Sequence, residues 1–139
     1  KQYCQSKVVE EQSDIKFKGH SIECRVNAED PLTFVPCPGV VTAYVAPGGR
    51  RVRVDSAVYQ GYKVPPFYDS MIAKVITYGD TREEARIRMI RALKEFILEG
   101  IKTNIPLHLK ILEDPVFSNA SFYTKWIETE LIPSIQGNG

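Results

Sequence analysis

The sequence predicts an α+β fold, an antiparallel β-sheet followed by packed C-terminal helices. Three observations carry this. Up to Tyr78, apolar residues alternate with polar ones in short runs bounded by Gly and Pro. From Thr81 onward the apolar period lengthens to three and four residues. Strands thus come first and helices after, rather than in βαβ alternation.

The chain divides into a connector or tail over 1–13, a domain over 14–133 and a disordered tail over 134–139. Ile15 to Lys18 is expected to be a short strand, and Gly19 turns the chain into the next one. From Ser21 to Asn27, Ile22, Cys24 and Val26 fall on one side and Ser21, Glu23, Arg25 and Asn27 on the other, the pattern of a half-buried strand. Asp30-Pro31 ends it, because Pro31 lacks a backbone donor and biases Asp30 away from helix. Val40–Val45 and Arg51–Asp55 flank Ala46-Pro47-Gly48-Gly49 and read as a hairpin. Met71–Tyr78 is a further strand. Thr81-Arg82-Glu83-Glu84 has the form of a capping box. Behind it Ile87, Ile90, Leu93 and Ile97 predict a helix from Arg82 to Glu99, with Gly100 as its C-terminal stop, and Glu84–Arg88 as an i,i+4 pair. A second helix is expected from Asn104 to just before Pro115, and a third from Ser121 to Leu131.

The chain's 139 residues fit one domain. A net charge of +1 creates no global field favouring nucleic acid or an anionic membrane. The arginines around Arg50 and along 82–91 are interleaved with Asp55, Asp80, Glu83 and Glu84, and those acids oppose phosphate binding. No nucleic-acid partner is therefore expected. No apolar run approaches ~20 residues, so no membrane span is expected. The 3 cysteines show no CxxC spacing, which argues against a disulfide frame or zinc knuckle and suits a reducing compartment. The chain starts at Lys1 and is expected to be an excerpt of a longer protein.

No phosphate loop, nucleophile elbow or histidine metal motif occurs, so no complete catalytic set can be assembled and no metal site is expected. Two features remain. Glu23, Arg25 and Asn27 stand in a row on one strand face, ~6–7 Å apart. A guanidinium there is a permanent cation beside a carboxylate; the plainer reading is a solvated ion pair. Asp69 follows an aromatic and proline loop, where it caps a turn or sits at the edge of a binding wall.

Gly19-His20-Ser21-Ile22-Glu23-Cys24-Arg25-Val26-Asn27-Ala28-Glu29-Asp30-Pro31 resembles the motif opening the C-terminal domain of biotin carboxylases. So do Pro38-Gly39, Ala46-Pro47-Gly48-Gly49, Arg53-Val54-Asp55-Ser56, Pro65-Pro66-Phe67-Tyr68-Asp69-Ser70-Met71-Ile72-Ala73-Lys74 and Gly100-Ile101-Lys102-Thr103-Asn104. The resemblance covers residues 14 to 131.

The resemblance implies an ATP-grasp ligase that uses Mg-ATP and bicarbonate to carboxylate N1′ of biotin held on a carrier domain. It implies that Mg-ATP and bicarbonate are bound mainly by an N-terminal ATP-grasp part, and that this domain is inactive alone. Arg25 is the implied catalytic residue, facing the biotin ureido group. Glu23, Asn27 and Asp69 are the implied supporting residues. The family's bacterial subunits form two-fold dimers through the strand after Ala-Pro-Gly-Gly. By that likeness Arg50 and Arg53 lie at a homodimer interface, Arg50 standing where an aromatic residue is common. The implied partners are the carrier domain, a carboxyltransferase and the ATP-grasp part. The implied location is the cytoplasm, or the mitochondrial matrix or plastid of a eukaryote. The acceptor (acetyl-CoA, pyruvate, propionyl-CoA or another) is not encoded here. Two other readings stand beside it: a non-catalytic dimerisation or scaffold module, and the C-terminal lobe of another ATP-grasp ligase.

Overall fold

The computed structural model describes residues 11–66 and 69–137. Most of the 1–13 connector, together with Phe67 and Tyr68 of the resemblance, lies outside the described residues. After a 3-10 turn at Gln12–Asp14 come β1 (His20–Asn27), β2 (Gly39–Val40), β3 (Ala43–Val45), β4 (Val52–Ser56), β5 (Lys63–Val64) and β6 (Met71–Gly79). They are followed by α1 (Arg82–Glu95), β7 (Ile97–Glu99), α2 (Ile105–Glu113) and α3 (Pro115–Ser118). A π-helical turn (Ile127–Leu131) then runs into α4 (Ile132–Gly137).

The main sheet is antiparallel, in the order β1-β6-β4. Its register is set by alternation: Val75 stands between Cys24 and Val54, and Lys74 between Arg25 and Asp55. Cys24, Val26, Ala73 and Val75 are buried on one face, against Met89, Ala92 and Leu93 of α1. Thr77 is buried too, and its hydroxyl donates to the Ala85 carbonyl at 2.9 Å, which removes the cost of an unpaired polar group. A second cluster gathers Leu107, Trp126, Leu131 and Ile132 under α2 and α4.

Several expectations are corrected. Ile15–Lys18 joins no sheet and Phe17 is fully exposed. The hairpin does not form: β3 pairs with β7, and β4 pairs with β6. The turn permits a hairpin, but pairing follows core burial, and the β6 edge brings Val52 and Val54 onto the core. The long helix stops at Glu95 because Phe96 turns extended and its ring packs edge-on against Tyr44, 5.6 Å between centroids. Ile97–Glu99 then serves as a strand. Gly100 is needed for another reason: at φ +90 it passes so close to β2 that a Cβ would collide with the Val40 carbonyl.

The inward face of α1 is Ala85, Met89, Ala92 and Leu93, with Phe96 buried just past its end, whereas Ile87 is 55% exposed. Small residues at 85 and 92 let the helix approach the sheet. Thr81 caps α1 through the Glu84 amide, but the Glu84 carboxylate reaches back to the Asp80 amide, and Arg88 donates to the Tyr78 carbonyl instead of pairing with Glu84. The expected helix at Ser121–Leu131 starts only near Trp126. The expected disordered tail over 134–139 is instead helical through Gly137, with the last two residues outside the described set. Pro133 does not end the chain's helix: it is the second residue of α4, directly after the π-helical turn that leads into it.

Candidate functional site

Alternation in β1 turns Arg25 away from the core that holds Cys24 and Val26. Across the sheet it faces Lys74, with Asp55 beyond. Two cations directly opposite repel. Each has a carboxylate at hand: Asp55 faces Lys74, and Asp69 accepts from Arg25 Nη2 at 3.2 Å. The two side chains of that pair are 57% and 62% exposed, so Arg25 is neither sealed in the core nor left without a partner. Among the described residues its remaining N–H groups meet no other side chain, and a guanidinium has donors to spare for a ligand. The other oxygen of Asp69 accepts from the Met71 amide at 3.0 Å, so the same carboxylate caps the turn into β6. Asp69 therefore caps the turn, one of the two roles its sequence position suggested, and pairs with Arg25 as well.

Behind Arg25 lies a polar network that sequence reasoning missed. Asn104 Oδ1 accepts from the Asn27 amide at 2.9 Å, and its Nδ2 donates to the Arg25 carbonyl at 3.1 Å. The Asn104 backbone amide donates to the Asn27 carbonyl at 3.2 Å. His108 Nε2 lies 2.9 Å from the same Arg25 carbonyl. A carbonyl only accepts, so Nε2 carries the proton. Burial pushes the His108 imidazole below its ordinary value, against the opposing pull of the Arg25 carbonyl and the Glu29 charge. Glu29 gathers Asn27 Nδ2 at 3.2 Å, Asn104 Nδ2 at 3.4 Å and the Ser70 hydroxyl at 3.2 Å. Ser70 adjoins Asp69, and its carbonyl accepts from the Ala28 amide at 2.7 Å. One carboxylate thus ties together the segments carrying Arg25 and Asp69.

Asn104 precedes Ile105 as the N-cap of α2, yet its side chain makes no capping bond to its own helix. Forgoing an N-cap bond typically costs about 1 kcal/mol. The sequence signal was present in the Gly100-to-Asn104 string, but an Asn before a helix reads first as a cap.

The other expected residues are placed as follows. Glu23 shares the outward face, in a row with Ile76 and Arg53, and makes no ion pair with Arg25; the carboxylate holding Arg25 is Asp69. Asn27 is turned toward Glu29 rather than toward the Arg25 side chain, and its buried Oδ1 has no donor among the described residues. Arg53 pairs with Asp55 at 2.9 Å, holding that carboxyl below its ordinary value. Arg50 is exposed on a shallow depression shared with Arg51, Asp80 and Arg88.

A cavity of about 500 Å³ opens beside Asp69, lined by Asp55, Ser56, Val58, Tyr62 and Met71 among others. The Cys24 thiol is pushed up to about 12, chiefly by burial, which makes it a packing group and no nucleophile. Among the described residues no three His, Cys, Asp or Glu side chains come together as a metal cage.

Comparison with known proteins gives one consistent answer. Residues 23–129 match the model of the biotin carboxylase C-terminal domain. Biotin carboxylase 1 of Bacillus subtilis is 60% identical over 119 residues, which is 85% of this chain and 26% of that protein. Biotin carboxylase of Haemophilus influenzae is 61% identical over 120 residues, 86% of this chain and 27% of that protein. Among solved structures, the biotin carboxylase domain dimer of the Hydrogenobacter thermophilus 2-oxoglutarate carboxylase, in complex with MgADP, ADP and bicarbonate, superposes with a TM-score of 0.85. It is 42% identical and covers 89% of this chain and 28% of its own. The chain therefore spans about a quarter of the length of these relatives. On the fold and these matches together, the chain belongs to the biotin carboxylase C-terminal domain family.

Proposed function

We propose that this chain completes the biotin pocket of an ATP-dependent biotin carboxylase, with Arg25 as its catalytic residue. The observation carrying this reading is the Arg25 guanidinium, tethered to Asp69 at 3.2 Å yet 57% exposed on the outward sheet face. When N1′ of biotin gives up its proton, negative charge builds on the ureido oxygen. A fixed guanidinium aimed at that oxygen stabilises the anion and orients N1′ as nucleophile. Asp69 restrains the cation, and Glu23 and Asn27 lie along the same strand as supporting residues. Bicarbonate activated by Mg-ATP supplies the carboxyl group. Both would be held mainly by an ATP-grasp part belonging to the three quarters of the relatives' length that this chain does not match.

In this reading the partners are that ATP-grasp part, a carrier domain bearing biotin and a carboxyltransferase. A second copy meets this one through the face of Arg50 and Arg53; a dimer is the form named for the Hydrogenobacter relative. The test is Arg25→Gln in a protein of full family length carrying this chain. Carboxylation of free biotin should fall about 10²–10³-fold, the usual loss for one oxyanion donor, with ATP binding unchanged. Near-normal carboxylation would overturn the assignment.

A further inference from the structure

We propose that Asn104 is the positioning residue for Arg25, acting on the backbone of β1. The inference rests on the reading of Arg25 as the group that meets the ureido anion.

Among the described residues β1 is an edge strand of the main sheet, paired with β6 on one side. The Arg25 carbonyl and the Asn27 amide bond to the Asn104 side chain, as a neighbouring peptide unit would bond them. The Asn104 backbone amide adds a third bond, to the Asn27 carbonyl. The clamp sits where the β1–β6 register shifts, between Val26 and Asn27. That is the weak point of the strand, since a one-residue slip would turn Arg25 to the opposite face. The side-chain amide has only one orientation that works, because Oδ1 meets an N–H while Nδ2 meets a carbonyl and the Glu29 carboxylate. Asn104 is buried, at 6% exposure, and leaves its own helix uncapped to make these bonds. His108, one turn along α2, places a second donor on the Arg25 carbonyl. The same Glu29 holds Ser70, next to the partner of the guanidinium, so backbone and side chain of Arg25 are fixed from one network.

A shift of about 1 Å in a catalytic group costs on the order of 10²-fold in rate. Asn104→Ala, in the full-length protein, should therefore lower kcat for free-biotin carboxylation about 10- to 100-fold with ATP binding unchanged. A double-mutant cycle with Arg25→Gln separates positioning from general weakening. If Asn104 acts through Arg25, Asn104→Ala costs little further once Arg25 is gone. Additive losses, or an Asn104→Ala protein with normal kcat, would overturn the proposal while leaving the role of Arg25 standing. An Arg25→Gln protein with normal carboxylation would overturn both. Should Asn104→Ala fail to fold, Asn104→Ser takes its place in the cycle, since it supplies an ordinary N-cap for α2 while removing the side-chain bond to the Arg25 carbonyl. Coupling to Arg25 again supports the proposal and additivity overturns it.

Discussion

The two faces of the β1-β6-β4 sheet are built from the same three strands and obey opposite rules. The inner face sets Cys24, Val26, Ala73, Val75 and Thr77 against α1, buried and, where polar, satisfied. The outer face sets Arg25, Lys74, Asp55, Arg53 and Glu23 in rows of charge that remain partly exposed. Alternation alone assigns residues to the faces. The difference teaches that one strand can hold a rigid core contact and a solvent-facing cation at adjacent positions, 24 and 25. Stability should therefore respond to the inner face and chemistry to the outer one, with little crossover.

That separation can be broken at several points. The largest effect on folding is expected from Met89→Ala, a fully buried side chain facing the sheet. It should cost ~2–5 kcal/mol in denaturant unfolding, with activity per folded molecule nearly intact. Arg25→Gln should do the reverse. Losing it should cost about 2.7–4 kcal/mol in the carboxylation transition state, with the unfolding midpoint unmoved. A large destabilisation by Arg25→Gln would erase the distinction between the faces. Asp69→Asn keeps the turn-capping oxygen but weakens an exposed ion pair, worth roughly 0.2–1 kcal/mol; the KM for free biotin should rise modestly.

The pH dependence of stability sharpens the comparison at the seam between the faces. Burial holds the His108 pKa below its ordinary value of 6.5, so the unfolded chain takes up the proton more readily than the folded one. Stability from this group is fully present above pH 6.5 and is lost as pH falls through the lower folded value. His108→Gln should flatten that acid limb in a series of denaturant titrations. An unchanged limb would remove His108 from the account. The smallest effect on folding is expected at Arg53, whose side chain is largely exposed in the single chain. Arg53→Glu should leave unfolding as it was and shift sedimentation toward the monomer.

Much of the fold was legible because its signals are local. β1 and β6 show period-2 alternation, α2 has Pro106 in its first turn, and α1 begins at a Thr cap with acids behind it. The site was half legible. Arg25 and Asp69 were each named from a conspicuous string, and Asn104 lay in another string without a role. What bound them together was hidden, because the contacts span 44 positions for Arg25–Asp69 and 79 for Asn104–Arg25. Ile87 misled because helical spacing shows that a stripe exists without saying which small residues must face a close sheet.

By itself, then, the sequence settled the fold class, the outward placement of Glu23 and Arg25 on β1 and membership of a family. These follow from steric preferences and alternation that act within a few residues, and from a string specific enough to be recognised. Tertiary structure alone decided that β3 pairs with β7 and β4 with β6. It also decided that Asp69 rather than Glu23 holds Arg25, and that Asn104 leaves its own helix to grip β1. The physical reason is that partners distant along the chain are chosen by the shared core they bury and by the polar groups that burial obliges them to satisfy.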